Sequence, residues 1–208
     1  MTMEEKTKNY KHELPENYEQ IYHIDAKDFK VGLLMNLGAL IIMALSGALV
    51  VITTILSATF NQTNIEEFID DWLLFLVIFL PGIIAYMILH ELVHGIAYKR
   101  LTKEKLTFGL SWSCAYCGVP NIYVYRKASM IALIMPCLVF SILFIILGAI
   151  FFFVNPALHA AIGALFSMHI GGCVGDLYMF FLYIFKFKDE EILMKDTGPE
   201  QFIYEKIK

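Results

Sequence analysis

The chain has 208 residues, 58% hydrophobic and 17% charged, with a formal net charge of −4 and a mean hydropathy of +0.63. A soluble domain carries about 25% charged residues, so the composition excludes an ordinary soluble protein, and the small acidic charge excludes a nucleic-acid partner. The length accommodates one membrane domain and no second globular unit.

Residues 1–30 are polar and mixed in charge and read as a cytoplasmic segment. They predict no cleavable signal peptide, so the first apolar segment acts as its own insertion signal. Four apolar segments follow, at about 31–58, 72–98, 128–154 and 156–185. Each reaches the roughly 20 residues of helix needed to cross a hydrocarbon core of about 30 Å. The expected fold is an all-α integral membrane protein. It has four transmembrane helices over residues 31–187, a short cytoplasmic β-hairpin between the second and third, and a cytoplasmic tail over 188–208.

Orientation follows from Lys and Arg. The stretch from Ser57 to Asp71 contains neither, only Glu66, Glu67, Asp70 and Asp71. The connection after the second segment carries Lys99, Arg100, Lys103, Lys105, Arg126 and Lys127. Lys27 and Lys30 precede the first segment, and Lys186 and Lys188 follow the last. All four groups predict a multi-pass protein of the cell membrane with both termini cytoplasmic, so the lipid bilayer is its first partner. Asn61-Gln62-Thr63 in the outward loop fits a glycosylation sequon that matters only in a secretory-pathway host.

The second segment ends in Ile88-Leu89-His90-Glu91-Leu92-Val93-His94-Gly95. On a helix, His90 and His94 lie one turn apart on one face and can share a zinc ion, with Glu91 beside them as proton acceptor. Ionisable groups within a membrane span are expensive and functional by default. A pair of histidines merely tied to helix neighbours is the alternative, and lipid makes it costly.

Catalytic zinc takes three protein ligands plus water. The candidates for the third are His159, His169 and Asp176, all in the last segment. Asp176 lies ten residues before Lys186, and His90 nine before Lys99. At about 1.5 Å per helical residue the two are level in the membrane. His169 is seven residues deeper, about 10 Å further along a continuous helix. It becomes an alternative ligand only if the helix breaks at Gly171-Gly172. Gly163, Ser167, Gly171 and Gly175 form a small-residue stripe of the kind that lets helices approach closely, either within the chain or in a homodimer.

Residues 106–117 alternate, with Leu106, Phe108, Leu110, Trp112, Cys114 and Tyr116 on one face. That period predicts a strand, followed by a turn at Gly118-Val119-Pro120-Asn121 and a second strand at Ile122-Tyr123-Val124-Tyr125. Such a hairpin either holds an extended protein or peptide substrate along its edge or lies at the interface by its aromatics. Cys114 and Cys117 point to opposite faces of a strand on a reducing side of the membrane, which argues against a redox or zinc pair. Cys137 and Cys173 read as small buried apolar residues.

His90-Glu91-Leu92-Val93-His94-Gly95 in a span, Tyr116-Cys117, Pro136 and Gly175-Asp176-Leu177 together resemble the putative zincin peptidase family of bacterial membrane proteins. The resemblance covers most of the chain and implies a zinc metalloendopeptidase. More distantly the chain is similar to the site-two intramembrane proteases, whose third ligand is an Asp in a later span. Those enzymes place an Asn-Pro shortly before Leu-Asp-Gly. Here Asn155-Pro156 lies far from Asp176, and the order is Gly-Asp-Leu.

The leading expectation is a membrane metallopeptidase with Zn2+ held by His90, His94 and Asp176 and with Glu91 as catalytic base. A metal-binding scaffold without turnover would use the same ligands. A metal transporter would need polar groups along a pathway, which the first and third segments lack.

Overall fold

The computed structural model describes residues 9–110, 115–189 and 191–207. In chain order these form β1 (Tyr10–Lys11), β2 (Tyr18–Asp25), α1 (Phe29–Phe60), α2 (Ile65–Asp70) and α3 (Trp72–Thr102). Then come β3 (Thr107–Leu110), β4 (Ala115–Gly118), β5 (Tyr123–Tyr125), α4 (Arg126–Phe152), α5 (Pro156–Gly172), α6 (Val174–Phe185), β6 (Leu193–Asp196) and β7 (Glu200–Lys206).

The all-α expectation is overturned. Of the described residues 64% are helical and 17% lie in strands, which form one antiparallel five-stranded sheet and one two-stranded sheet. The larger has the order β1-β5-β6-β7-β2. Its longest pairing joins β2 to β7, from Tyr18 opposite Lys206 to Asp25 opposite Glu200. Segments that read as polar tails therefore close on each other across nearly the whole sequence.

The expected hairpin is also re-paired. β3 pairs with β4, with Gly109 opposite Tyr116, whereas β5 joins the larger sheet between β1 and β6. The expected single strand over 106–117 is thus two strands. The residues between them, Ser111 to Cys114, lie outside the described residues, and with them the expected positions of Trp112 and Cys114.

Four unbroken spanning helices are likewise not found among the described residues. There three helices, α1, α3 and α4, are long and apolar enough to cross a membrane. The fourth expected span is instead two helices, α5 and α6, bent by 45° at the intervening break. Cys173 ends α5, its N–H donating to His169 O at 3.0 Å. The break falls among Gly171, Gly172 and Gly175, and each helical glycine costs about 1 kcal/mol relative to alanine.

Local signals set the remaining helix ends. Asp28 Oδ1 accepts from Lys30 N at 2.9 Å and Val31 N at 3.1 Å, which caps α1. Asn64 and Glu67 form a capping box on α2. Asn155 caps α5 with Pro156 at its start. Lys99 Nζ donates to the carbonyls of Lys103 and Glu104 at 3.0 Å each, closing the end of α3.

The chain divides into two compact units. The first comprises Met1–Met35, Glu91–Pro136 and Gly175–Lys208. Its core packs Tyr98, Ala128, Ala132 and Tyr183 with Ile122, Val124, Met194 and Ile203 from the sheet region. Arg126 holds this unit together by donating to the carbonyls of Tyr183 and Phe187 at 2.8 and 2.7 Å, which satisfies the end of α6.

The second unit comprises Asn36–His90 and Cys137–Val174. Here the small-residue stripe meets α1 of the same chain. A Cβ on Gly163 would come within 2.6 Å of Val50 Cγ1, and one on Gly171 would collide with Met43. Ser57 Oγ donates to Phe152 O at 2.6 Å in the same unit.

Candidate metal centre

Tyr86, His90, His94, Tyr98 and Thr102 recur every fourth residue of α3, and all five are buried. They make one face of the helix. The intervening Leu89, Leu92 and Ile96 are about 44–45% exposed and give α3 its lipid-compatible side. A helix apolar on one side thus carries a continuous polar-tipped seam on the other.

His90 and His94 are each 7% exposed. His94 Nδ1 lies 2.9 Å from Ala132 O. A carbonyl oxygen can only accept, so Nδ1 carries a proton and donates to it, and Nε2 is the nitrogen that faces Asp176. That Nε2 stands 3.3 Å from Asp176 Oδ2. Two ligands about 2.1 Å from a tetrahedral zinc ion sit roughly 3.4 Å apart, so the pair already has the separation such an ion imposes. His90 lies one turn before His94 on the same unbroken helix, and one ligand atom from each of His90, His94 and Asp176 falls within 4.8 Å of the others. Two imidazoles and a carboxylate are a donor set that zinc takes.

Asp176 is held in the first turn of α6, where the helix dipole favours a carboxylate. The break before α6 is what turns this residue into a helix-start position. Glu91 is half-buried beside the two histidines.

His169, the conditional alternative, is fully buried, and the break on which it depended is present. An atom each of His90, His169 and Cys173 also falls within 4.8 Å of the others. Both nitrogens of the His169 ring are already hydrogen-bonded, however. Nδ1 lies 3.0 Å from the Tyr86 hydroxyl, and Nε2 lies 3.0 Å from Ser141 Oγ and 3.2 Å from Cys137 O. His159 is tied to Gly148 O and Thr53 Oγ1 at 2.9 Å each, a histidine that joins helices.

Cys117 is a protonated thiol. Burial pushes its pKa up to about 12, and the charges of Asp196 and Glu91 act in the same direction. A thiol in that state is neither a metal ligand nor a redox nucleophile near neutral pH.

Sequence reasoning missed several residues. Tyr98 donates from its hydroxyl to Asp196 Oδ2 at 2.7 Å, one turn beyond His94. Asp196 also accepts from Gly198 N at 2.8 Å, in a turn where Gly198 takes a φ of 103° that suits glycine. Burial, with Asp176 adding, raises the Asp196 pKa to about 6 against the pull of these hydrogen bonds. The fourfold spacing of Tyr86 and Tyr98 about the motif was a legible signal. Asp196 gave none, because its partner is 98 residues away.

No curated protein and no solved structure matches the chain significantly. The family described as putative zincin peptidase matches residues 83–190. That stretch opens just before the motif histidines on α3 and runs past Asp176, and by this match the chain belongs to the putative zincin peptidase family.

Proposed function

We propose that the protein is a membrane-embedded zinc metallopeptidase that hydrolyses peptide bonds in membrane or membrane-proximal proteins. The observation that carries this reading is the set of buried His90 and His94 with half-buried Asp176, with ligand atoms within 4.8 Å of one another. A zinc ion in that set would polarise the scissile carbonyl and acidify the attacking water. The chain's own residues do the rest. Glu91 accepts the proton of the attacking water and returns it to the leaving amine. The Ala132 carbonyl keeps His94 oriented with Nε2 toward Asp176.

The substrate would be presented as an extended strand. Among the described strands β3 pairs only with β4, and its Phe108 and Leu110 are 50% and 75% exposed. A strand edge with apolar side chains can bind a peptide by β-addition.

The larger sheet supports a topology with both chain ends on one side. It takes strands from before α1, from between α3 and α4, and from after α6, and hydrogen-bonded neighbours must share one side of a bilayer. The Lys and Arg distribution makes that side cytoplasmic.

The test is metal analysis of the purified protein combined with a Glu91→Gln variant. One zinc per chain is expected, lost in His90→Ala. Glu91→Gln should keep the zinc and lose about 10²–10⁴-fold in rate, so that an uncleaved membrane protein accumulates in cells. If Glu91→Gln cells match wild type in membrane proteome while His90→Ala cells do not, the metal is structural and the peptidase reading falls.

A further inference from the structure

A cavity of about 520 Å³ opens beside the start of α4. It is lined by Arg126, Lys127, Met130, Ile131 and Ile134 of that helix and by Phe180 of α6. All six belong to the first compact unit, and none belongs to the metal set. The five α4 residues are spaced by one and three, which puts them along one flank of the helix. The volume falls within the about 300–1,000 Å³ of small-molecule sites.

The two ends of the cavity differ in chemistry. Arg126 is the first residue of α4. Its Nε and Nη2 donate to the carbonyls of Tyr183 and Phe187, which fixes the guanidinium plane. Its Nη1 makes no hydrogen bond among the described residues. Lys127 is exposed, and its ammonium has neither a hydrogen bond nor an ion pair among the described residues. No carboxylate is among the lining residues. Two cations without a counter-charge favour an anion, and a planar guanidinium matches the geometry of a phosphate.

The other end is apolar. Ile134 lies eight residues beyond Arg126, about 12 Å along the helix, and Ile131 is 38% exposed. A soluble phosphate would leave the wall of Met130, Ile131, Ile134 and Phe180 uncovered. Those side chains offer no hydrogen-bonding group, so a peptide backbone laid along them would lose its partners. A wholly apolar ligand would leave the cations unpaired. An anionic head on an apolar tail complements both ends. Because α4 is apolar enough to cross a membrane, its cationic start stands at headgroup depth, where basic pockets between spans hold anionic lipid.

We propose that this cavity binds one anionic phospholipid, its phosphate on Arg126 and Lys127 and an acyl chain along Met130, Ile131, Ile134 and Phe180. The proposal rests on the membrane reading of the chain and is independent of the metal centre.

The experiment is native mass spectrometry of the full metal-free chain, released from detergent after equilibration with phosphatidylglycerol or phosphatidylcholine. One phosphatidylglycerol per chain should be retained, about 5–10-fold above phosphatidylcholine. Lys127→Gln should lower that retention about 5-fold. Lys188→Gln, exposed but outside the cavity, should leave it unchanged. Ile134→Trp, which puts an indole into the cavity, should lower retention of both lipids. Melting temperatures check that each variant folds, and Lys127→Gln at its exposed position carries the test if Ile134→Trp does not.

The proposal is overturned if wild type retains neither lipid or both alike, or if Lys127→Gln matches wild type. Equal losses in Lys127→Gln and Lys188→Gln would overturn it in favour of diffuse surface charge. Displacement of the lipid by glycerol 3-phosphate would make the cavity a phosphate site, and a lipid-free dimer would make it a contact with a second copy. A chain that retains phosphatidylglycerol but binds no zinc keeps this proposal and loses the peptidase reading alone.

Discussion

Replacing Asp196 by asparagine should stabilise the metal-free protein at pH 8 about twice as much as at pH 5. The carboxyl is 3% exposed, and its folded pKa is raised from 3.8 to about 6, first by burial. A group that binds its proton more tightly when folded is an asset only while protonated. Below pH 4 the folded and unfolded chains both hold the proton. Between pH 4 and pH 6 the unfolded chain releases it first, and stability falls with rising pH. Above pH 6 the full cost is present. Roughly two pH units at about 1.4 kcal/mol each give about 3 kcal/mol. Asparagine never ionises; its carbonyl can still accept from Gly198 N, 2.8 Å from Oδ1, while its amide donates to the Tyr98 oxygen, 2.7 Å from Oδ2. At about 2–4 °C per kcal/mol for a chain of this size, Asp196→Asn should melt roughly 5–10 °C above wild type at pH 8. The assay is thermal unfolding in detergent with chelator present, at half-unit steps from pH 5 to pH 8. A melting difference that stays flat or shrinks with rising pH would refute the claim that burial of this charge governs the site.

Reporter fusions between residues 61 and 64 and after the C-terminus should report opposite sides of the membrane, since the larger sheet gathers both chain ends with β5. Cys117, with its pKa near 12, should resist maleimide at pH 7 in the folded protein and react on unfolding. Gly171→Leu should cost about 1–3 kcal/mol by overpacking against Met43, read as a lower melting temperature with zinc stoichiometry as a control. Arg126→Met should cost about 1–3 kcal/mol for each buried carbonyl left without a donor, the two at issue belonging to Tyr183 and Phe187.

The sequence by itself determined where the chain is apolar enough to cross a membrane, because about 20 consecutive apolar residues are a local requirement of the hydrocarbon core. α1, α3 and α4 begin and end within a few residues of the expected segments. It also determined that His90 and His94 share a helix face, since i and i+4 need no tertiary information. The tertiary structure alone decided the sheet. β6 is four residues long and reads as a tail. β2 meets its partner β7 some 180 residues later, and pairing at that distance leaves no periodic trace in either strand. It decided that Gly171, Gly172 and Gly175 break a helix instead of merely thinning one. It also decided what meets the carbonyl that Pro136 leaves without a helical donor. Any proline inside a helix bares a carbonyl, but only packing could bring His94 to that oxygen and Asp176 to the other side of the same ring.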